Sequence, residues 1–202
     1  PNLKTNIVKD MSNMFNGCTS LVSLDLSSFG TINVHNMEYM FHSSSSLISL
    51  NLANFNTVNV KSMNNMFFRF SKLVSLDLSG FDTSNVENMG SMFYSCSSLI
   101  SLNITNFNMK NVKMMNNMFS CCSKIVSLDL SSFDAVNVEN MESMLYSCSS
   151  LISLNLSIFN ASKVKKMNNM FSGCSKLVSL DLSGFITSKV ENIESMFCSC
   201  SS

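Results

Sequence analysis

The chain of 202 residues is 46% hydrophobic, with a mean hydropathy of +0.21 and 13 Lys+Arg balanced by 13 Asp+Glu. That much apolar surface supplies a sizeable core and excludes disorder as the main state, while zero net charge leaves no basic excess for a phosphate backbone or an anionic membrane. One Pro, six Gly and no Trp beside 17 Met and 16 Phe show a few residue types used over and over, the composition of an internal repeat.

From the N-terminus, LVSLDLS at Leu21–Ser27 recurs as LISLNLA, LVSLDLS, LISLNIT, IVSLDLS, LISLNLS and LVSLDLS. This places Leu24, Leu50, Leu76, Leu102, Leu128, Leu154 and Leu180 at a strict spacing of 26. A fixed period in the twenties, with no unit able to bury its own apolar face, predicts a solenoid in which each coil touches only its neighbours. Residues 1–202 then form a single repeat array of about eight coils.

Within the coil Lys72–Ser97, Leu73, Leu76 and Leu78 follow LxxLxL, and the alternation at its end predicts a strand with Asp77 pointing outward. Beyond Phe81, Val86, Met89, Met92, Phe93 and Cys96 fall at helical spacing, and Ser84 with Glu87 makes a capping-box pattern, so a short helix or 3₁₀ turn is expected. The expected fold is an α/β solenoid, leucine-rich-repeat-like, with a parallel sheet on one face and short helical turns on the other. At about 4.8 Å per coil the array is roughly 35 to 40 Å long.

The Leu-rich strand, the Phe after it, the Asn-Val-x-x-Met-x-x-Met-Phe segment and the Cys-x-x-Leu that re-enters the strand resemble the 26-residue bacterial surface-protein repeat, also known from mycoplasma surface lipoproteins. The chain is similar as well to the wider group of BspA-like leucine-rich repeats. The resemblance covers essentially the whole chain. It implies a cell-surface or secreted, non-enzymatic protein, and it carries no catalytic residues to transfer.

Equivalent residues of successive coils lie about 5 Å apart, so each position of the repeat is a row along the array. The Leu rows, the Phe row from Phe29 to Phe185 and the Met row from Met40 to Met196 are interior by periodicity, with Met as a flexible filler. The strand face is expected to expose Ser23, Ser49, Ser75, Ser101, Ser127, Ser153 and Ser179 beside Asp25, Asn51, Asp77, Asn103, Asp129, Asn155 and Asp181. Alternation with Asn leaves the carboxylates roughly 10 Å apart, too far for two of them to share a Ca²⁺ ion.

A charge ladder runs Lys61, Glu87, Lys113, Glu139, Lys165, Glu191, preceded by Lys9 and His35. The row Ser46, Lys72, Ser98, Lys124, Ser150, Lys176 alternates with the same period. Sliding the array by one coil keeps every hydrophobic contact but sets Lys beside Lys, so the true unit is a 52-residue super-repeat.

Cys18, Cys96, Cys122, Cys148, Cys174 and Cys200 share a further row, with Ser44 and Phe70 in its second and third places. A spacing near 5 Å admits a disulfide. The row nonetheless accepts Ser and Phe, and five consecutive Cys cannot all pair, so a ladder of buried thiols is expected with a bridge left open. Cys121 and Cys198 lie off the row and are expected to be more exposed. Neither Cys121–Cys122 nor Cys198–Cys200 has a second pair at zinc-site spacing, and the six Gly are scattered singly. His35 belongs to the charge row and His42 follows an interior Phe with no unusual partner, so the chain reads as a non-enzyme without metal or cofactor. Asn103, Asn155 and an exposed Asn160 fit the N-glycosylation pattern, which matters only in a secreting eukaryote.

The sequence runs from Pro1, without Met or signal peptide, to Ser202 in mid-coil, with no transmembrane run and no evident polar cap. Open cross-sections at both ends fit either an excerpt of a longer array or a polymer segment in which copies stack end to end. The preferred reading is a cell-surface or extracellular solenoid for adhesion or protein interaction. The alternative is a structural subunit of an extracellular filament formed by end-to-end stacking. Protein partners or self are expected, with no nucleic acid and no membrane insertion within this segment.

Overall fold

A computed structural model describes residues 3–201; Pro1, Asn2 and Ser202 lie outside the described residues. Each Ser-Leu-Asp or Ser-Leu-Asn triplet that forms a strand turns its Leu inward and its Ser outward. The strands are β1 (Ser23–Asp25), β2 (Ser49–Asn51), β3 (Ser75–Asp77), β4 (Ser101–Asn103), β5 (Ser153–Asn155) and β6 (Ser179–Asp181). Pairing is parallel and one coil out of step in sequence, so Leu24 lies beside Leu50, Leu76 beside Leu102 and Leu154 beside Leu180. The intervening triplet at Ser127 makes only a single bridge to Ser153.

The sheet is therefore not continuous: β1–β2, β3–β4 and β5–β6 are separate pairs, and most Cα atoms of β2 and β3 lie more than 8 Å apart. At two of the three closed pairs a side chain reinforces the strands: Asn54 donates from Nδ2 to the Ser27 carbonyl at 2.8 Å across β1–β2, and Asn106 does the same to Ser79 at 2.8 Å across β3–β4, while β5–β6 closes with Gly184 in that row. The equivalent residues at the two openings are Gly80, which has no side chain, and Ser132, whose hydroxyl is buried without a partner.

The expected helical turns are not formed; among the described residues there is no helix. Each coil holds two residues four apart in the left-handed region, for example Asn13 (φ 59°) with Gly17 (φ 71°) and Ser91 (φ 54°) with Ser95 (φ 56°). A right-handed helix cannot pass through such residues. The N–H groups of Met11, Asn13, Phe15 and Gly17 instead donate to the carbonyls of Asn36, Glu38, Met40 and His42 in the next coil, at 2.8 to 3.0 Å. Donors that a helix would use internally thus join coils, and Ser84 and Glu87 cap nothing. Val86, Met89, Met92, Phe93 and Cys96 are still buried, because stacked turns of three to four residues return the same side chains to the interior as a helix does.

The result is a leucine-rich-repeat-like solenoid of short parallel strands and stacked turns. Half a coil from the strands, backbone bridges run without a break through Asp10, Asn36, Ser62, Asn88, Met114, Asn140, Lys166 and Asn192. The core between holds fully buried Met40, Met66, Met92, Met118, Met144 and Met170. Beside them, Phe15, Phe41, Phe67, Phe93 and Phe119 stack at 5.6 to 5.7 Å with nearly parallel rings.

Candidate interaction surfaces

The carboxylates on the strand side serve their own turns. Asp25, Asp77, Asp129 and Asp181 each accept the N–H of the Ser two residues on, at 2.8 to 2.9 Å. These hydrogen bonds from Ser27, Ser79, Ser131 and Ser183 hold all four carboxyls below the usual range. Asn51 and Asn155 occupy the same turn with Oδ1, which is why Asp and Asn interchange freely in the row. Where β2 and β3 part, a cleft of about 530 Å³ opens, with Leu50, Asn51, Leu76, Asp77 and Phe81 in its walls.

The sequence reading missed a row on this face. Val22, Ile48, Val74, Ile100, Val126, Ile152 and Val178 are 44 to 70% exposed, forming one β-branched apolar strip beside the Ser row. Its signal was the second residue of every LVSL or LISL, which falls outside the inward positions of LxxLxL.

Of the charge ladder, two rungs close. Lys113 Nζ lies 2.7 Å from Glu87 and Lys165 Nζ lies 3.1 Å from Glu139. The hydrogen bond from Lys113 holds Glu87 below its ordinary range and raises Lys113 in return. Lys61 and Glu191 are exposed and form no closed rung among the described residues, though the Lys61 charge helps to lower Glu87, and the N–H of each residue from His35 to Glu191 in the row donates to the carbonyl one coil back.

All eight Cys are free thiols. Cys96, Cys122, Cys148, Cys174 and Cys200 donate from Sγ to the carbonyls of Phe67, Phe93, Phe119, Leu145 and Phe171 at 3.1 to 3.2 Å. Ser44 makes the same bond to Phe15 at 2.6 Å, while Phe70 fills the place with a buried ring that donates nothing. Cys18, in the first coil, is half-buried. Burial pushes the Cys122 and Cys148 thiols well up and Cys174 to about 11, so these thiols are poor nucleophiles. Cys198 is exposed and Cys121 half-buried. Asn155 is exposed and Asn103 is not fully so. The expected exposure of Asn160 is corrected: it is half-buried, with Oδ1 accepting the Ser162 N–H at 3.0 Å in an Asx turn.

His42 is also corrected, because it has partners that the sequence reading did not see. Its row reads Asn16, His42, Phe68, Tyr94, Ser120, Tyr146, Ser172, Cys198, the least uniform of the array. His42 stacks on Phe68 with ring centroids 4.4 Å apart and planes within 12°, and Phe68 stacks on Tyr94 at 4.7 Å and 7°. The Arg69 guanidinium lies 5.3 Å from the Phe68 centroid, and Tyr39 leans on His42 at 5.5 Å. Partial burial, then repulsion from Arg69, lowers the His42 pKa, so its imidazole is neutral at pH 7. Arg69 itself is exposed and has left-handed φ. The array thus carries one local cluster of three stacked rings and an arginine on the turn face.

Among solved structures, the chain is similar to a T. pallidum leucine-rich repeat protein, TpLRR, at 20% identity over 86% of this chain, with a TM-score of 0.45. It spans 62% of that protein, less than two thirds of its length. A leucine-rich repeat protein from Bacteroides ovatus aligns over 96% of this chain and 68% of its own, at 18% identity and a TM-score of 0.35. No curated protein matches the sequence. The family described as Mycoplasma protein of unknown function, DUF285, matches residues 1–99, 62–156 and 122–202. These three staggered matches leave no residue uncovered, and the chain belongs to that family.

Proposed function

We propose that the chain is a non-enzymatic repeat solenoid on the cell surface or outside the cell, working in adhesion by binding a protein partner. Membership of a repeat family and the resemblance to surface-protein repeats support the location and the absence of catalysis. One observation carries the binding role: His42, Phe68 and Tyr94 stacked beside Arg69, at the place where the repeat is least uniform. Near-identical coils carry little site-specific information, whereas aromatic residues and Arg are enriched where binding energy concentrates. Because the ring faces cover one another, the stack offers its electropositive edges, and with the guanidinium it complements a carboxylate on the partner.

The test uses residues that the array already places in these rows, Phe68→Ser and Arg69→Ser together, as found at Ser120 and Ser95. Binding to an array of acidic and aromatic peptides is expected to fall by about tenfold or more with the circular dichroism spectrum unchanged. Equal binding by variant and wild type sinks the assigned site. Protease treatment of intact cells is expected to remove the protein, and its full protection inside the cell would refute the location. Electron microscopy should show discrete rods; continuous fibres would replace adhesion with an end-to-end filament.

A further inference from the structure

We propose that the strand face pairs with the strand face of a second copy, the two arrays running parallel about a twofold axis along their length. The seven Val and Ile side chains from Val22 to Val178, 44 to 70% exposed, line one row of the strand face, and exposed apolar side chains clustered in this way mark interaction sites. Charges of opposite sign flank it. On one side stand Lys72, Lys124 and Lys176, exposed and in no ion pair among the described residues. On the other stand Asp77, Asp129 and Asp181, exposed and engaged only by hydrogen bonds from their own turns and neighbouring coils.

The spacing along each charged coil is symmetric. Counted in residues along the chain, Lys72 and Asp77 are equally far from the midpoint between Val74 and Ser75, and the same holds for Lys124 with Asp129 and Lys176 with Asp181. A twofold axis through these midpoints, along the array, lays the Val and Ile knobs of one copy over the small Ser row of the other. It also sets every Lys of these coils opposite an Asp of the same coil number, giving six ion pairs across the interface. The other twofold arrangement, with the arrays antiparallel, sets Lys over Lys and Asp over Asp. A slip by one coil sets charged coils against the neutral Ser98–Asn103 and Ser150–Asn155 coils, so the in-register parallel pair is selected against both alternatives. The aromatic cluster of the turn face is not part of this interface and stays free.

Sedimentation velocity over about two decades of concentration is expected to show a monomer–dimer equilibrium that weakens at about 0.5 M NaCl. Lys72→Glu, Lys124→Glu and Lys176→Glu together should weaken the dimer by about tenfold or more, and since these side chains are exposed and unpaired the fold should be untouched. In a mixture of ¹⁴N- and ¹⁵N-labelled chains, carbodiimide is expected to give mixed-isotope cross-links between Lys124 and Asp129. A monomer at every concentration, a dimer indifferent to the triple variant, or mixed-isotope cross-links confined to other residues would each overturn the proposal.

Discussion

His42 shows how much one substitution in a repeat row can change. In the next coil its position is Phe68 and in the one after Tyr94, and the imidazole that joins this column is partly buried and faces the Arg69 guanidinium, both of which disfavour its charged form. The folded pKa lies below the ordinary 6.5, so the unfolded chain binds the proton more readily. This group's contribution to stability is therefore complete above pH 6.5 and is lost as the pH falls from there through the folded value. An NMR titration should find His42 below the ordinary 6.5, and Arg69→Ser should move it upward by removing a like charge; an unmoved His42 would deny the coupling. The thiols make a second residue-scale prediction. Iodoacetamide should label Cys198 first and Cys121 next, and should reach Cys96, Cys122 and Cys148 only after unfolding. The buried row was legible from its period, because Ser44 and Phe70 marked a place where filling the interior matters more than sulfur chemistry. The His42 cluster was not, since stacking depends on rotamers that spacing does not specify.

At the scale of one coil, the strand was legible and the turn was misjudged for a physical reason. Alternation of Leu fixes which way a strand faces, but a three-to-four residue recurrence of Val, Met and Phe is shared by a helix and by stacked turns. What distinguishes them is the left-handed pair in every coil, where Asn, Ser, Gly, Tyr, Arg and Cys all occur, so no glycine signature announces it. The row of Asn54 and Asn106 is the part of the coil most open to test. Asn54→Ala should cost about 1 kcal/mol in urea unfolding, through loss of the bond to Ser27. In the same row, a Cβ at Gly184 would overlap the Ser157 backbone carbonyl, whereas one at Gly80 meets nothing within 4 Å. Gly184→Ala is expected to cost about 1 to 3 kcal/mol and Gly80→Ala close to nothing, and equal effects would deny that these coils are so closely set.

For the whole molecule, the array and its period were plain in the sequence, since every hydrophobic row repeats without a slip from Leu24 to Leu180. The strand-face charges bear on acid stability. Asp25, Asp77, Asp129 and Asp181 have folded pKa values below 3.8, so their contribution is present above that value and disappears as the pH falls through the lower folded values. Acid unfolding should steepen below pH 3.8, and replacing all four by Asn should flatten that limb while leaving the neutral-pH fold intact.

The contrast between the two sides of the coil has a mechanical consequence. Along the Asp10–Asn192 bridges every coil is fastened to the next, while on the strand side the β2–β3 junction and the one after β4 are left open. A rod built in this way does not bend evenly. It flexes at discrete hinges whose pin is the bridged column, so thermal bending and any pull applied at the ends concentrate at those two junctions, and the segments between them move as stiff links of a chain.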